Sequence, residues 1–286
     1  MRKNILFTLL CISTALSAQR DFNKVQITSE KITEDIYVLF GSGGNIGLAI
    51  GEEAAYLIDD QFGPLTEKIV AHVNTLTNKP IHFVLNTHVH GDHTGGNENL
   101  ANAGAMIIAH ENVRKRMTEG NTPRPKEAYP VVTFNDKMTL YLGNDKSIHA
   151  MHVDPAHTDG DTYYYFPENN VIHMGDNFFS GRYPYIDIAN GGDIDGLISN
   201  VSMTLNIVND DTKIIPGHGN ISSKEDLKSY LDILITLRER VKKARSEGKS
   251  LEETQKMSLS TEWDQTHGQG FINPDRIIEF IYLSAD

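Results

Sequence analysis

The chain has 286 residues, 39% hydrophobic and 22% charged, a composition that carries no sign of disorder and is sufficient for a full buried core. Its formal charge of −12, with no run of basic residues to offset it, argues against nucleic acid as a partner. The basic stretch RERVKKARSEGK has mixed signs at helical spacing and reads as a solvated helix face.

In chain order, Arg2 and Lys3 precede the apolar stretch ILFTLLCISTAL, and the small residues Ser17 and Ala18 follow. That is the pattern of a secretory signal peptide over residues 1–18. The apolar stretch, interrupted by Thr8, Ser13 and Thr14, falls short of the roughly 20 residues that span a bilayer, so no stable membrane insertion is expected. Leu10 before Cys11 also argues against a lipoprotein. The expected location is periplasmic or secreted. Loss of Arg2 and Lys3 would leave 24 basic against 38 acidic residues, a charge near −14, and loss of Cys11 would leave no thiol for a disulfide or a metal. Residues 19–286 show no repeat and no linker, and read as one domain.

KITEDIYVLF and GLAIGEEAAYLIDD are expected to be strands joined through GSGG, which lacks the spacing of a phosphate loop and reads as a hairpin turn near a pocket. LTEKIVAHVNTLTN has helical periodicity and Pro80 just beyond it, and IHFVLNTH reads as a buried strand. The strand AMIIAH, the helix ENVRKRMTEG and a proline-containing loop at 121–130 follow. KMTLYL, SIHAMHV, DTYYYFP and NVIHM are the next strand candidates. IDGLISNVSMTLNIV and SKEDLKSYLDILITLRERVKKA are the longest helical patterns, with the short strand TKIIP between them. NPDRIIEFIYL closes the chain, with Pro274 suited to a first helical turn. Strands alternating with helices around a strand-rich middle suit a sheet-on-sheet core with helices outside.

The densest chemistry follows IHFVL, in THVHGDHTGG. On an extended strand end His88 and His90 share a side and can converge on one metal ion. Asp92 and His93 are neighbours that diverge in an extended chain, and a sharp backbone turn at Gly91 is expected to aim both at a second ion. Gly95 and Gly96 would let the backbone pass close to the site as a helix begins. Two ions need more donors, and His157 in DPAHTDGD, Asp176 in IHMGD and His218 in IIPGHG each follow a predicted strand.

With HVHGDH filling His-x-His-x-Asp-His at every position, and three further donors in order, the stretch from about Lys31 to His218 resembles the metallo-β-lactamase superfamily. The resemblance implies an α/β fold, a four-layer αβ/βα sandwich with the site along one edge of the sheets. It also implies that His88, His90 and His157 hold one metal and Asp92, His93 and His218 a second, with Asp176 bridging. One antibiotic-destroying subclass has cysteine where this chain has Asp176, so the chain resembles more closely the glyoxalase II and lactonase branches. Those branches usually place Gly-His where this chain has Ala156 and His157, and their C-terminal segments are not recognisable in residues 220–286.

Nitrogen and oxygen donors favour two Zn²⁺ ions, although iron and manganese also suit them. Two ions roughly 3.5–4 Å apart would hold a water with a pKa near about 7, a hydroxide nucleophile for a carbonyl bond. The expected enzyme is a metal-dependent hydrolase of a small-molecule cyclic amide or ester, with β-lactams in range. Lactonase, thioesterase and phosphodiesterase activities are alternatives, and an iron-dependent oxidoreductase is a more distant one. A flavodiiron protein would need glutamate at position 90, where this chain has His90. Asp92 is the expected catalytic carboxylate, orienting the hydroxide and shuttling a proton. Asp161 is expected either to support a ligand histidine or to stabilise a turn. His72, His82, His110, His149, His152 and His173 read as structural or surface residues, and isolated His267 gives no signal. From Phe178, Phe179, Tyr183 and Tyr185, one or two rings are expected to touch substrate. The turn around Asn45 and the 121–130 loop are expected to form the opposite lip. The sequence gives no oligomeric state.

Overall fold

The computed structural model describes residues 21–119, 124–143 and 145–284; the expected leader and Cys11 lie outside them. One sheet holds seven strands in spatial order β1 (Thr28–Lys31), β2 (Ile36–Phe40), β3 (Ile46–Ile50), β4 (Ala55–Ile58), β5 (Ile81–Leu85), β6 (Met106–His110) and β7 (Val132–Phe134). Its first four strands are antiparallel, and β4 to β7 run parallel. A second sheet has the order β12 (Lys213–Ile215), β11 (Val171–His173), β10 (Thr162–Phe166), β9 (Lys146–His152) and β8 (Lys137–Gly143), antiparallel except between β11 and β12.

Alternation along the strands sends side chains to two different cores. Val38 and Ile58 of the first sheet meet Ile148, Tyr164 and Ile215 of the second between the sheets. Their neighbours Leu39 and Leu57 face outward, against Ile69 and Val73 of helix α1 (Thr66–Leu76). On the far side, Tyr163 and Ile214 pack on the helices α5 (Ile194–Ile207), α6 (Lys224–Ser246) and α9 (Pro274–Ser284) through Leu197, Leu234 and Ile277. The adjacent rings Tyr163 and Tyr164 thus belong to different layers. Helix, sheet, sheet and helix form the four-layer αβ/βα sandwich that the motif implies.

Two expectations need correction. KITEDIYVLF holds only the last residue of β1 and the whole of β2, because Ile32 N–H and Thr33 N–H both donate to Ile36 O and close a turn between them. GLAIGEEAAYLIDD is likewise a hairpin, turned where Gly51 N–H donates to Ala54 O. The segment after His90 enters a short helix α2 (Gly91–Thr94), and α3 (Asn97–Asn102) starts directly after Gly96, where a helix is expected to begin. Helix α4 (Glu111–Glu119) packs Val113 and Met117 beside Val89 and Tyr129. Two short helices, α7 (Leu251–Gln255) and α8 (Asp264–His267), precede α9.

The segments after β5, β11 and β12 leave C-terminal strand ends at one edge of the sandwich. The 153–161 loop reaches the same edge, where Thr162 N–H donates to Thr87 O. Sequence-distant donors therefore meet there.

Candidate metal centre

All seven predicted donors come together in two adjoining groups. His88, His90, His157 and Asp176 form one, and Asp92, His93 and His218 the other; within each, one donor atom per residue lies within 4.8 Å of the rest. The groups touch: His93 Nε2 stands 3.3 Å from His218 Nε2 and 3.1 Å from Asp176 Oδ1. Asp176 Oδ2 lies 3.8 Å from His88 Nε2, 3.5 Å from His157 Nε2 and 3.4 Å from His218 Nε2, a position between both groups.

The divergence of Asp92 and His93 is solved otherwise than the sequence suggests. Gly91 is not in the left-handed region. His90, with φ −66° and ψ 149°, is the extended residue before α2, and the helical turn fans Asp92 and His93 apart. The glycines act by close approach. A β-carbon on Gly95 would fall 2.5 Å from Gly91 O and 2.8 Å from Gln61 O, and one on Gly44 would fall 2.1 Å from His93 Cε1. GSGG therefore lays bare backbone against the His93 ring. On the opposite side, a β-carbon on Gly217 would meet Asp176 Oδ1 at 2.0 Å.

Outward hydrogen bonds set each imidazole tautomer. His157 Nδ1 donates to Tyr185 O at 2.6 Å, His90 Nε2 faces Asp187 Oδ2 at 2.7 Å, and His93 Nδ1 faces Asp59 Oδ2 at 2.7 Å. Thr87 Oγ1 donates to Asp59 Oδ2, which leaves it to accept from His88 Nδ1 at 3.0 Å. With these protons directed outward, the inward nitrogens of His88, His90, His93 and His157 present lone pairs to the centre. His157 Nε2 and His90 Nδ1 then face each other, lone pair to lone pair, at 2.8 Å. His88 Nε2 and Asp176 Oδ1 are buried without a hydrogen-bond partner. Such a set is costly unless a cation lies between the donors, so the residues present fit metal ions.

The electrostatics agree. Burial lowers the His88 imidazole well below its usual pKa and lowers His157 to about 4, which keeps both neutral for ligation. At Asp176 burial opposes ionisation, but the surrounding imidazoles of His93, His218, His157 and His88 outweigh it and hold the carboxyl well below its usual range. His93 differs: burial disfavours charge, yet Asp176 and Asp59 on either side draw positive charge to it and raise its pKa, so that a cation held at its inward nitrogen would take the place of a proton there.

Asp59 and Asp187 were not among the sequence candidates. LIDD carries no motif spacing, and Asp187 becomes relevant only because Tyr185 to Asp187 pass behind His157 and His90. Asp161 stabilises a turn: its carboxylate accepts from His157 N–H, Thr158 N–H, Thr158 Oγ1 and Asn177 Nδ2, fixing the backbone that carries His157 but not the imidazole. His110 and His152 stack at 3.6 Å away from the seven donors, in structural positions as expected.

A cavity of about 640 Å³ opens over the centre, with His90, Asp92, Asp176 and His218 in its floor. Phe179, Tyr183 and Tyr185 line it, joined by Phe62 and Phe271. Phe179 stacks on His218 at 5.3 Å and Tyr185 on His90 at 5.5 Å. Phe178 is buried against Tyr230 and takes no part. The opposite lip is Ser42 and Gly43. Asn45 is buried below it, donating from Nδ2 to Pro216 O and Gly219 O, so its side chain ties the two loops together and is not part of the lip. In the 121–130 loop, residues 121–123 lie outside the described set. Arg124 lies beside His90 and Gly91 in a separate cavity, not in the lip.

Residues 39–219 match the family model of the metallo-beta-lactamase superfamily. A cytoplasmic hydroxyacylglutathione hydrolase of Arabidopsis thaliana is 35% identical over 117 residues, covering 40% of this chain and 41% of that protein. The match thus spans less than half the length of that relative. In three dimensions the chain is similar to a metallo-beta-lactamase from Pontibacter korlensis, with TM-score 0.64 and 19% identity over 73% of this chain and 99% of that one. It also resembles the inverting sec-alkylsulfatase Pisa1 from Pseudomonas sp., with TM-score 0.72 and 15% identity over 91% of this chain and 50% of that one. At these identities the structural likenesses establish the fold.

Proposed function

This chain belongs to the metallo-beta-lactamase superfamily, and from that premise we propose that it is a hydrolase that opens a carbonyl bond at a centre of two zinc ions. The observation that carries the reading is the convergence of seven donors whose tautomers aim the imidazole lone pairs inward. His88, His90 and His157 would hold one ion, Asp92, His93 and His218 the other, with Asp176 between them. When bound, the ions supply a Lewis acid for the carbonyl and a water acidic enough to attack it at neutral pH.

The chain's own residues do the rest. Asp59, Asp187 and the Tyr185 carbonyl fix the imidazoles, so the donor geometry is built before substrate arrives. Asp92 Oδ2 lies 3.5 Å from His218 Nε2 and its carboxylate is partly open to the cavity, the position for a group that takes a proton and returns it to the leaving group. The aromatic rings hold an apolar part of the substrate and exclude water from the floor. The leader read in residues 1–18 supports a periplasmic or secreted location.

A thioester is the second reading, favoured by sequence similarity to hydroxyacylglutathione hydrolases. Aspartate, not cysteine, at position 176 sets the chain apart from the thiolate-bearing β-lactamase subclass. Zinc-loaded protein assayed against a chromogenic cephalosporin, an acyl lactone, an acyl thioester and a phosphodiester separates these readings. Turnover of at least one of the three carbonyl substrates, lost in Asp176→Ala, is expected. Inertness toward all three carbonyl substrates with zinc bound would overturn carbonyl hydrolysis.

A further inference from the structure

A second cavity, of about 620 Å³, lies against the first, and His90 and Gly91 belong to the walls of both. The two differ in character. The cavity over the centre is walled by aromatic rings, whereas the second has Lys115, Arg116 and Arg124 in its wall. Three cations around one cavity stand out in a chain of net charge −12.

The cations have unequal freedom. Arg124 is spent on structure: Nη1 donates to Thr94 O and Thr94 Oγ1, and Nη2 to Val89 O, bracing the backbone on either side of His90. Arg116 uses Nε and Nη2 on Asp159, which cancels that carboxylate and leaves Nη1 without a partner among the described residues. The Lys115 ammonium has no hydrogen bond or ion pair among the described residues. Among the described residues Glu119 is the other carboxylate in the wall, so their net excess is positive.

We infer that this second cavity is a subsite for an acidic group of the substrate, with Lys115 and Arg116 as its recognition residues. The inference rests on the hydrolase reading for the identity of the occupant. A substrate lying across the His90–Gly91 ridge would put its reacting carbonyl over the donors, an apolar or aromatic portion against Phe179, Tyr185 and Phe271, and a carboxylate, sulfate or phosphate beside Lys115. The substrate class is therefore a two-ended molecule, apolar on one side of the scissile bond and anionic on the other. An ammonium and a free guanidinium edge suit such an anion, and the shared ridge joins it sterically to the reacting end.

The test is equilibrium binding and needs no turnover. The probe is 4-phenylbutane-1-sulfonate, whose sulfonate is a weak zinc ligand, titrated calorimetrically into the zinc-loaded full chain, with 4-phenylbutan-1-ol as its neutral counterpart. Lys115→Gln and Arg116→Gln are each expected to weaken the sulfonate about two- to fivefold, the range for a partly exposed charge pair, and to leave the alcohol unchanged. Phe271→Ala should weaken both probes. Arg116→Gln frees Asp159 and could disturb α4, so the exposed Lys115→Gln variant, with an unaltered melting temperature, decides the case. Unchanged sulfonate affinity in Lys115→Gln, or no preference for sulfonate over alcohol, would overturn the subsite. Lysine-dependent binding by a protein inert to all four substrates would remove the hydrolase reading and keep an anion site.

Discussion

Asp59 has φ +64°, a backbone conformation few side chains tolerate, and from it accepts from Thr87 N–H and Thr87 Oγ1 while orienting His93. One buried carboxylate thereby fixes two donors, His93 directly and His88 through Thr87. Asparagine tolerates the same φ, so Asp59→Asn removes the charge without the backbone penalty. It should lower zinc affinity about 10- to 100-fold, read by chelator competition, with a native circular dichroism spectrum. Asp187 plays the corresponding part for His90. Burial opposes its ionisation, but hydrogen bonds from His90 and Asn190 bring it to about 2, so it stays a carboxylate throughout the working range. All seven donors could be read from spacing and strand ends because each occupies a motif position. Their supporting partners could not: Asp59 and Asp187 lie 34 and 97 residues from the histidines they hold, and only the fold brings them together.

At the scale of elements, α5 is seated by a missing side chain. A β-carbon on Gly196 would stand 1.8 Å from Pro155 O, on the segment that leads to His157, while Asp193 caps the helix by accepting from Gly196 N–H. Gly196→Ala cannot be absorbed by a flexible side-chain end, because the obstruction is backbone. It is expected to cost about 1–3 kcal/mol, seen in denaturant melts, and to weaken zinc binding as the His157 loop moves outward. The long helices and hydrophobic strands are legible in the sequence because their periodicities are strong. The polar edge strand β1 and the short helix α2 are not. TSEK is mostly exposed and carries no alternation, and the four residues of α2 give too little periodicity to register.

For the whole molecule, acid should be the weak side of the stability profile. His173 is fully buried between the sheets, with Nε2–H donating to Asn45 O and Nδ1 accepting from Gly175 N–H, so the fold uses its neutral form. Burial lowers its pKa from 6.5 to about 4. Between those values the unfolded chain binds a proton that the native chain does not, so stability is complete above about pH 6.5 and falls toward pH 4, by up to roughly 3 kcal/mol from this group. Urea midpoints at pH 7 and pH 5 should lie closer together in His173→Gln than in the unsubstituted protein. An equal gap in both would remove this assignment. The same histidine supports the turn carrying Asp176, which couples the inter-sheet core to the metal centre.

Zinc stoichiometry tests the two-ion centre most directly. Metal-depleted full chain, titrated with Zn²⁺ by calorimetry and checked by mass spectrometric metal analysis, should take up two equivalents per chain, and His218→Ala should retain one tight equivalent on the His88, His90 and His157 side. A stoichiometry of one or less in the unsubstituted protein, or two tight equivalents undiminished in His218→Ala, would contradict the paired centre.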